Sequence, residues 1–238
     1  MKQIPNILTL CNLLCGCVAI TFCFGGSINY MITGSYFIIA AAIFDFFDGF
    51  AARALNAYSP IGKDLDSLSD LVSFGVAPSF YAYQVIYLGI SYVGNTNVFL
   101  IYTSFLLAIF SALRLAKFNI DDSQTKHFIG IPTPITGLMV ISLPAFIKLF
   151  FNTSLYVNAM NPYIVIFVIV FASFMLIAPI KMMALKFTSY GVKDNLFKYL
   201  LLLISLVLFI KYQIASFVAI YFLYIILSLI SNLTEKKN

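Results

Sequence analysis

Residues 30–53 read YMITGSYFIIAAAIFDFFDGFAAR. A membrane span needs about 20 mostly apolar residues, and this run supplies them. It also carries Asp45, Asp48 and Arg53 toward its C-terminal end. Charges inside a span are costly and survive where they have partners. The stretch therefore predicts a transmembrane helix with a polar site built into it. The whole chain has the same character: of 238 residues, 62% are hydrophobic and only 10% charged. A soluble domain would carry roughly 25% charged residues. This composition excludes a disordered chain, a disulfide-stapled secreted domain and an ordinary cytosolic enzyme.

Seven further apolar runs surround this one. The expected spans are Ile7–Phe24, Tyr30–Arg53, Asp66–Val93, Val98–Phe118, Pro134–Phe151, Pro162–Ile180, Leu196–Lys211 and Ile214–Leu233. Gly25-Gly26-Ser27, Ser59-Pro60, Gly94–Asn97, Gly130–Pro134 and Asn158–Pro162 read as the turns between them. The fold class is an all-α polytopic bundle of about eight spans, in one integral membrane domain. Residues 1–180 form a six-helix core, and residues 181–238 add two spans. The first run contains Asn6, Thr9 and Asn12 and reads as a retained helix, not a cleaved signal. Its four cysteines, Cys11, Cys15, Cys17 and Cys23, have no histidine nearby and read as packing residues.

Basic residues concentrate on the cytoplasmic side of membrane proteins. With the N-terminus inside, that side collects Lys2, Arg53, Lys63, Arg114, Lys117, Lys126, Lys181, Lys186, Lys193, Lys198, Lys236 and Lys237. The other side collects only Lys148 and Lys211. Both termini and the acidic segment are thus expected at the cytoplasmic face of the cell membrane. The net charge of +5 is accounted for by this flanking pattern, so nucleic acid is not an expected partner. Lys181, Lys186, Lys193 and Lys198 suit anionic lipid headgroups.

Five of the nine acids fall between Asp45 and Asp70. At 100° per residue, Asp45, Asp48, Gly49, Ala52 and Arg53 share about 140° of one helix face. Gly62, Asp66 and Asp70 recur every four residues and make one stripe on the next helix. Asp64 points away from that stripe, into solvent. Four facing carboxylates repel strongly in a low-dielectric setting, and a divalent cation, or two, resolves this. All-oxygen ligands select Mg²⁺, Mn²⁺ or Ca²⁺ over zinc. Gly49 and Gly62 let a ligand approach the backbone, and Arg53 suits phosphate oxygens. Together these groups suit pyrophosphate chemistry. Two other readings stand beside this one. The acids could pair with Arg53 and Lys63 as helix glue, although two cations do not neutralise so many carboxylates. They could also line a divalent-cation or proton pathway, although such sites favour the midplane of repeated halves, and no internal repeat is evident.

The spacing D-x2-D-G-x2-A-R-x8-G-x3-D-x3-D, met at Asp45, Asp48, Gly49, Ala52, Arg53, Gly62, Asp66 and Asp70, resembles the signature of the CDP-alcohol phosphatidyltransferase family. The flanking pieces Ile4–Asn12, Ser73–Pro78, Ala112–Asn119 and Gly130–Pro134 look like the branch of that family that uses serine as acceptor. Lys117 departs from that branch, which usually has Arg there. The resemblance implies transfer of a phosphatidyl group from CDP-diacylglycerol to L-serine, releasing CMP. It implies Mg²⁺ or Mn²⁺ on Asp45, Asp48, Asp66 and Asp70, with Asp70 as general base. It also implies a CDP pocket that includes Asp48, Gly49, Ala52, Arg53, Gly62 and Asp66, and a homodimer. Other acceptors, such as glycerol 3-phosphate, inositol phosphate or a lipid, share the same acidic motif.

Six polar residues outside the motif bear on function. Asn6 can meet cytidine or phosphate, or bond a neighbouring helix, as can Thr9 and Asn12. Arg114 sits nearly a turn inside its helix end, which favours a role in binding the acceptor carboxylate or a phosphate. Lys117 has the same role open to it, or that of an interfacial anchor. His127, the one histidine, reads as a loop residue.

Overall fold

The computed structural model describes residues 3–57, 59–94, 97–120, 128–183, 191 and 195–235. Helix α1 (Ile4–Cys23) and helix α2 (Ile28–Ala54) form an antiparallel pair across the Gly25–Ser27 turn. Ser27 caps α2, its hydroxyl accepting from the Tyr30 amide at 3.4 Å. Helix α3 (Pro60–Asp70) begins six residues before the expected Asp66. Ser59 and Pro60 explain the earlier start: the Ser59 hydroxyl accepts from the Gly62 amide at 3.0 Å, and proline suits the first helical position. The rod runs on through a π-helical turn (Leu71–Val76) into α4 (Ala77–Val93).

A 3-10 stretch (Val98–Phe105) leads into α5 (Leu106–Ile120). Helices α6 (Thr133–Ile141) and α7 (Leu143–Leu149) share one apolar run, interrupted at Ser142 just before Pro144. After the short α8 (Leu155–Ala159) come α9 (Pro162–Ile177), α10 (Leu196–Tyr212) and α11 (Ser216–Glu235). A two-residue antiparallel ribbon pairs β1 (Phe128–Ile129) with β2 (Lys181–Met182). It is a local departure from an otherwise helical fold.

Among the described residues, five helical stretches are long and apolar enough to cross a membrane: Ile4–Cys23, Ile28–Ala54, Pro60–Val93, Val98–Ile120 and Leu196–Thr234. The last is interrupted at Gln213, where φ 49 and ψ −132 break the helix, and α10 packs on α11. Thr133–Leu149 and Pro162–Ile177 are shorter apolar helices. All eight expected runs are therefore helical, and the chain is an integral membrane protein.

Helix crossings are lined by small residues, as is usual where lipid supplies no hydrophobic drive. Gly16 of α1 lies against the Ser73 backbone, and Gly137 of α6 against that of Phe74. The core between them holds Phe74, Tyr81, Ile86, Met139 and Ile169, all buried. By contrast, α10 buries Leu201 alone among its residues and exposes Leu202, Leu203, Leu206, Val207 and Ile210. That surface suits lipid. Lys2, Lys126, His127, Lys186, Lys193, Lys236 and Lys237 lie outside the described residues.

Candidate active site

The acidic site forms where the C-terminal part of α2 and the whole of α3 meet the N-terminal half of α1. One ligand oxygen each from Asp45, Asp48 and Asp66 lies within 4.8 Å of the others. Oxygens on opposite sides of a Mg²⁺ ion stand about 4.2 Å apart, and around Ca²⁺ about 4.8 Å. The three carboxylates are thus close enough for one divalent cation to bridge them. Asp66 Oδ1 is buried without a hydrogen-bond partner. Buried polar atoms are rarely left so, and a cation would satisfy this one. The fourth carboxylate, Asp70, is buried and adjoins Asp45. Asp64 is exposed, as its helical phase predicts.

Helix α1 supplies the polar wall. The Thr9 hydroxyl donates to Asp48 Oδ2 at 2.6 Å, with the Pro5 carbonyl at 3.0 Å as the alternative acceptor. Asn12 Nδ2 donates to Asp70 Oδ1 at 3.2 Å. Ser73, in the π-helical turn, donates to the Asn12 carbonyl at 3.0 Å and ties α1 to the segment after Asp70. Thr9 and Asn12 therefore hydrogen-bond between helices, and their partners are carboxylates of the motif. Asn6 Oδ1 lies 3.2 Å from where a Cβ on Gly62 would stand. A side chain at position 62 would crowd it, so the bare backbone of Gly62 and Asn6 share one small space.

Arg53 is exposed and folds back along its own helix, with Nη1 3.5 Å from the Cβ position of Gly49. Ala52 is half-buried beside it. Lys63 donates to the Asn119 carbonyl at 3.0 Å, and Asn119 Nδ2 donates to the Ser67 hydroxyl at 2.8 Å. Both contacts join α3 to the end of α5. Lys63 thus engages a backbone oxygen, which weakens the reading of the acids as a simple ion-paired glue.

Arg114 lies within electrostatic range of Asp70. Its Nη1 donates to the Thr133 hydroxyl at 2.7 Å, and its guanidinium carbon stands 5.7 Å from the Phe118 ring centroid. Arg114 and Lys117 line a cavity of about 390 Å³, whose apolar wall includes Phe118, Ile129 and Leu176. The Thr133 contact was not foreseen from the sequence. The signals were the position of Thr133 in the Gly130–Pro134 turn and the likeness of that piece to the serine-using branch, neither of which names Arg114 as its partner. All four cysteines are free: Cys23 is buried, Cys11 and Cys15 are half-buried, and Cys17 is exposed.

All these groups gather at one end of the bundle. At the other end, Lys148 Nζ donates to Asn29 Oδ1 at 2.7 Å and Lys211 lies over the Tyr212 ring. The two basic residues set apart by charge counting thus lie away from the acidic site.

The family model described as CDP-alcohol phosphatidyltransferase matches residues 2–233. A CDP-diacylglycerol–serine O-phosphatidyltransferase of Bacillus subtilis is 41% identical over 143 residues, covering 60% of this chain and 76% of that protein. The enzyme of the same name from Helicobacter pylori is 35% identical over 139 residues, 58% of this chain and 55% of its own. An archaetidylserine synthase of Methanothermobacter thermautotrophicus is 30% identical over 141 residues, 58% and 56%. The aligned part is thus about half the length of the latter two.

Proposed function

Since the chain belongs to the CDP-alcohol phosphatidyltransferase family, we propose that it transfers the phosphatidyl group of CDP-diacylglycerol to L-serine, giving phosphatidylserine and CMP. The observation that carries this reading is the convergence of Asp45, Asp48 and Asp66 within 4.8 Å, with Asp70 beside them and Arg114 in electrostatic range. The names of the relatives support serine as acceptor.

The nucleotide half of the donor binds among Asn6, Asp48, Gly49, Ala52, Arg53, Gly62 and Asp66. Arg53 faces its phosphates, and the bare Gly62 backbone beside Asn6 leaves room for it. Asp45, Asp48 and Asp66, with Asp70, would hold one or two Mg²⁺ or Mn²⁺ ions, which when bound supply positive charge for the phosphoryl oxygens and the leaving CMP. Arg114, with Lys117, receives the serine carboxylate. The serine hydroxyl then stands near Asp70, which takes its proton. The serine oxygen bonds to the β-phosphorus, the bond from that phosphorus to the CMP oxygen breaks, and CMP departs. Asn12 holds the Asp70 carboxylate in orientation for that proton.

The site faces the cytoplasm in the cell membrane, with both termini on the same side. Residues 1–180 form the catalytic core, residues 181–238 add the last two spans, and the active form is a homodimer. The test is CMP release by purified protein given CDP-diacylglycerol with Mg²⁺ or Mn²⁺ and serine, glycerol 3-phosphate or inositol phosphate in turn. Release with serine alone is expected. Release with another acceptor alone would overturn the serine assignment. Metal flux in vesicles without dependence on CDP-lipid would favour a transporter.

A further inference from the structure

The reading of Arg114 as the receiver of the acceptor's anion raises the question of what aims it. Its stem emerges from α5, but its guanidinium is held from α6. Nη1 donates to the Thr133 hydroxyl at 2.7 Å, and Thr133 is fully buried. Nε is buried with no hydrogen-bond partner. One nitrogen of the fork is therefore fixed by a neutral acceptor, while Nε is left with its hydrogen unmet and Asp70 lies within electrostatic range. A donor of this kind is costly until an anion or water meets it.

Thr133 is itself anchored from the far end of the chain. It begins α6 directly after Gly130-Ile131-Pro132. Gly130 has φ +76, which only glycine adopts readily, and a Cβ there would strike the Leu176 carbonyl. The Gly130 amide donates to the Ile180 carbonyl at 3.0 Å, and the Ile131 amide to the Met175 carbonyl at 3.0 Å. The preceding β1 pairs with β2, and α11 grips the segment that β2 leads into. The Met183 amide donates to the Ser228 hydroxyl at 3.2 Å, and the Tyr224 hydroxyl donates to the Met183 carbonyl at 3.0 Å. Asn232 Nδ2 donates to the Lys181 carbonyl at 2.5 Å. The last helix, the ribbon and the Gly130–Thr133 turn form one connected support behind Arg114.

We propose that Thr133, braced through the β1–β2 ribbon by Tyr224 of α11, is the positioning residue of the acceptor side, aiming Arg114 at the acceptor's anionic group. This inference rests on the acceptor role of Arg114 given above. Thr133 does not touch the reacting atoms. Its loss therefore weakens acceptor capture while leaving donor binding and the chemical step in place. A merely structural role would disturb all three together.

The experiment uses the full chain in lipid nanodiscs, with CDP-diacylglycerol and Mn²⁺, measuring CMP release against serine concentration. Thr133→Val keeps the shape and removes the acceptor oxygen. Its KM for serine is expected to rise about tenfold, with kcat and the KM for CDP-diacylglycerol within about threefold of the wild type. Thr133→Ser restores the oxygen and is expected to return the serine KM to near the wild-type value. Tyr224→Phe removes the hydroxyl that bonds the Met183 carbonyl and that lies within electrostatic range of Arg114, and shifts the serine KM the same way by about threefold. It carries the test should Thr133→Val fail to fold. An unchanged serine KM in Thr133→Val, a parallel rise for both substrates, or a serine variant no better than valine would overturn the proposal. An unchanged serine KM in Tyr224→Phe would do the same where that variant stands alone. If the wild type turns over only glycerol 3-phosphate or inositol phosphate, the serine assignment fails. The same variants run with that acceptor then decide on Thr133. No release with any acceptor overturns both.

Discussion

Asp70 differs from the other three carboxylates in its surroundings. It accepts from Asn12, adjoins Asp45 and lies in electrostatic range of Arg114. Asp45, Asp48 and Asp66 face one another. If Asp70 takes the acceptor proton, Asp70→Asn removes the base while keeping the size of the side chain. CMP release should fall by about 10²–10⁴-fold, the usual worth of a general base. Binding of CDP-diacylglycerol, measured separately, should persist. A near-normal rate would place the base elsewhere. Thr9 offers a second residue-scale test. Its hydroxyl donates to Asp48 Oδ2 at 2.6 Å, and partners that orient metal ligands are commonly worth about 10–100-fold in affinity. Thr9→Val should raise the Mn²⁺ concentration for half-maximal CMP release toward that range. The periodicity of Asn6, Thr9 and Asn12 marked one polar stripe on α1, but it did not reveal their partners. Those depend on how α1 leans across α2 and α3, which no local pattern encodes.

At the scale of elements, the segment after Asp70 matters most. The π-helical turn Leu71–Val76 follows the last carboxylate directly. Such turns are rare and recur at functional sites. Here the turn holds Ser73, which bonds the Asn12 carbonyl, and Phe74, whose backbone abuts Gly137. Nothing in the sequence distinguishes a π turn from an α turn here, because six residues are too few to separate their periods. Gly16 is the counterpart on α1. A Cβ there would stand 2.5 Å from Ser73 Oγ and 2.9 Å from its Cα. The side-chain oxygen can rotate away, but the Cα cannot. Gly16→Ala should therefore push α1 from the π turn and cost about 1–3 kcal/mol, as overpacking does. A lowered Tm in detergent is the expected readout, and an unchanged Tm would mean that the helices separate without penalty.

At the scale of the whole molecule, charge placement and contacts agree. The acids, Arg114, Lys117 and the β1–β2 ribbon share one end, while Lys148 pairs with Asn29 at the other. If the rich end faces the cytoplasm, reporters fused at residues 1 and 238 should both report cytoplasmic location. A reporter inserted in the Phe151–Ser154 turn should report the opposite side. An external signal from either terminus would contradict the orientation. The last two helices, in the stretch 181–238 expected to add two spans, pack differently from each other. Helix α10 lies largely open to lipid, but α11 packs on α6 and holds the strand after α9 through Tyr224, Ser228 and Asn232. That support reaches Arg114 through contacts between residues distant in sequence, and its Tyr224 also lies within electrostatic range of Arg114.

Apolar run length marked the long helical stretches, because a bilayer demands about 20 apolar residues whatever surrounds them. The period of 3.6 likewise put Asp45 with Asp48, put Asp66 with Asp70, and turned Asp64 outward, since these are properties of a single helix. Short-range signals served as well: Ser27 and Ser59 begin helices by accepting from the amide three residues on, and Gly94 ends one by taking a left-handed backbone. The fold alone could bring the two carboxylate faces together, seat Thr9 and Asn12 on them and hand Arg114 to Thr133. Each of those contacts is set by the packing of side chains between helices, and packing is a property of surfaces that meet only once the chain has closed.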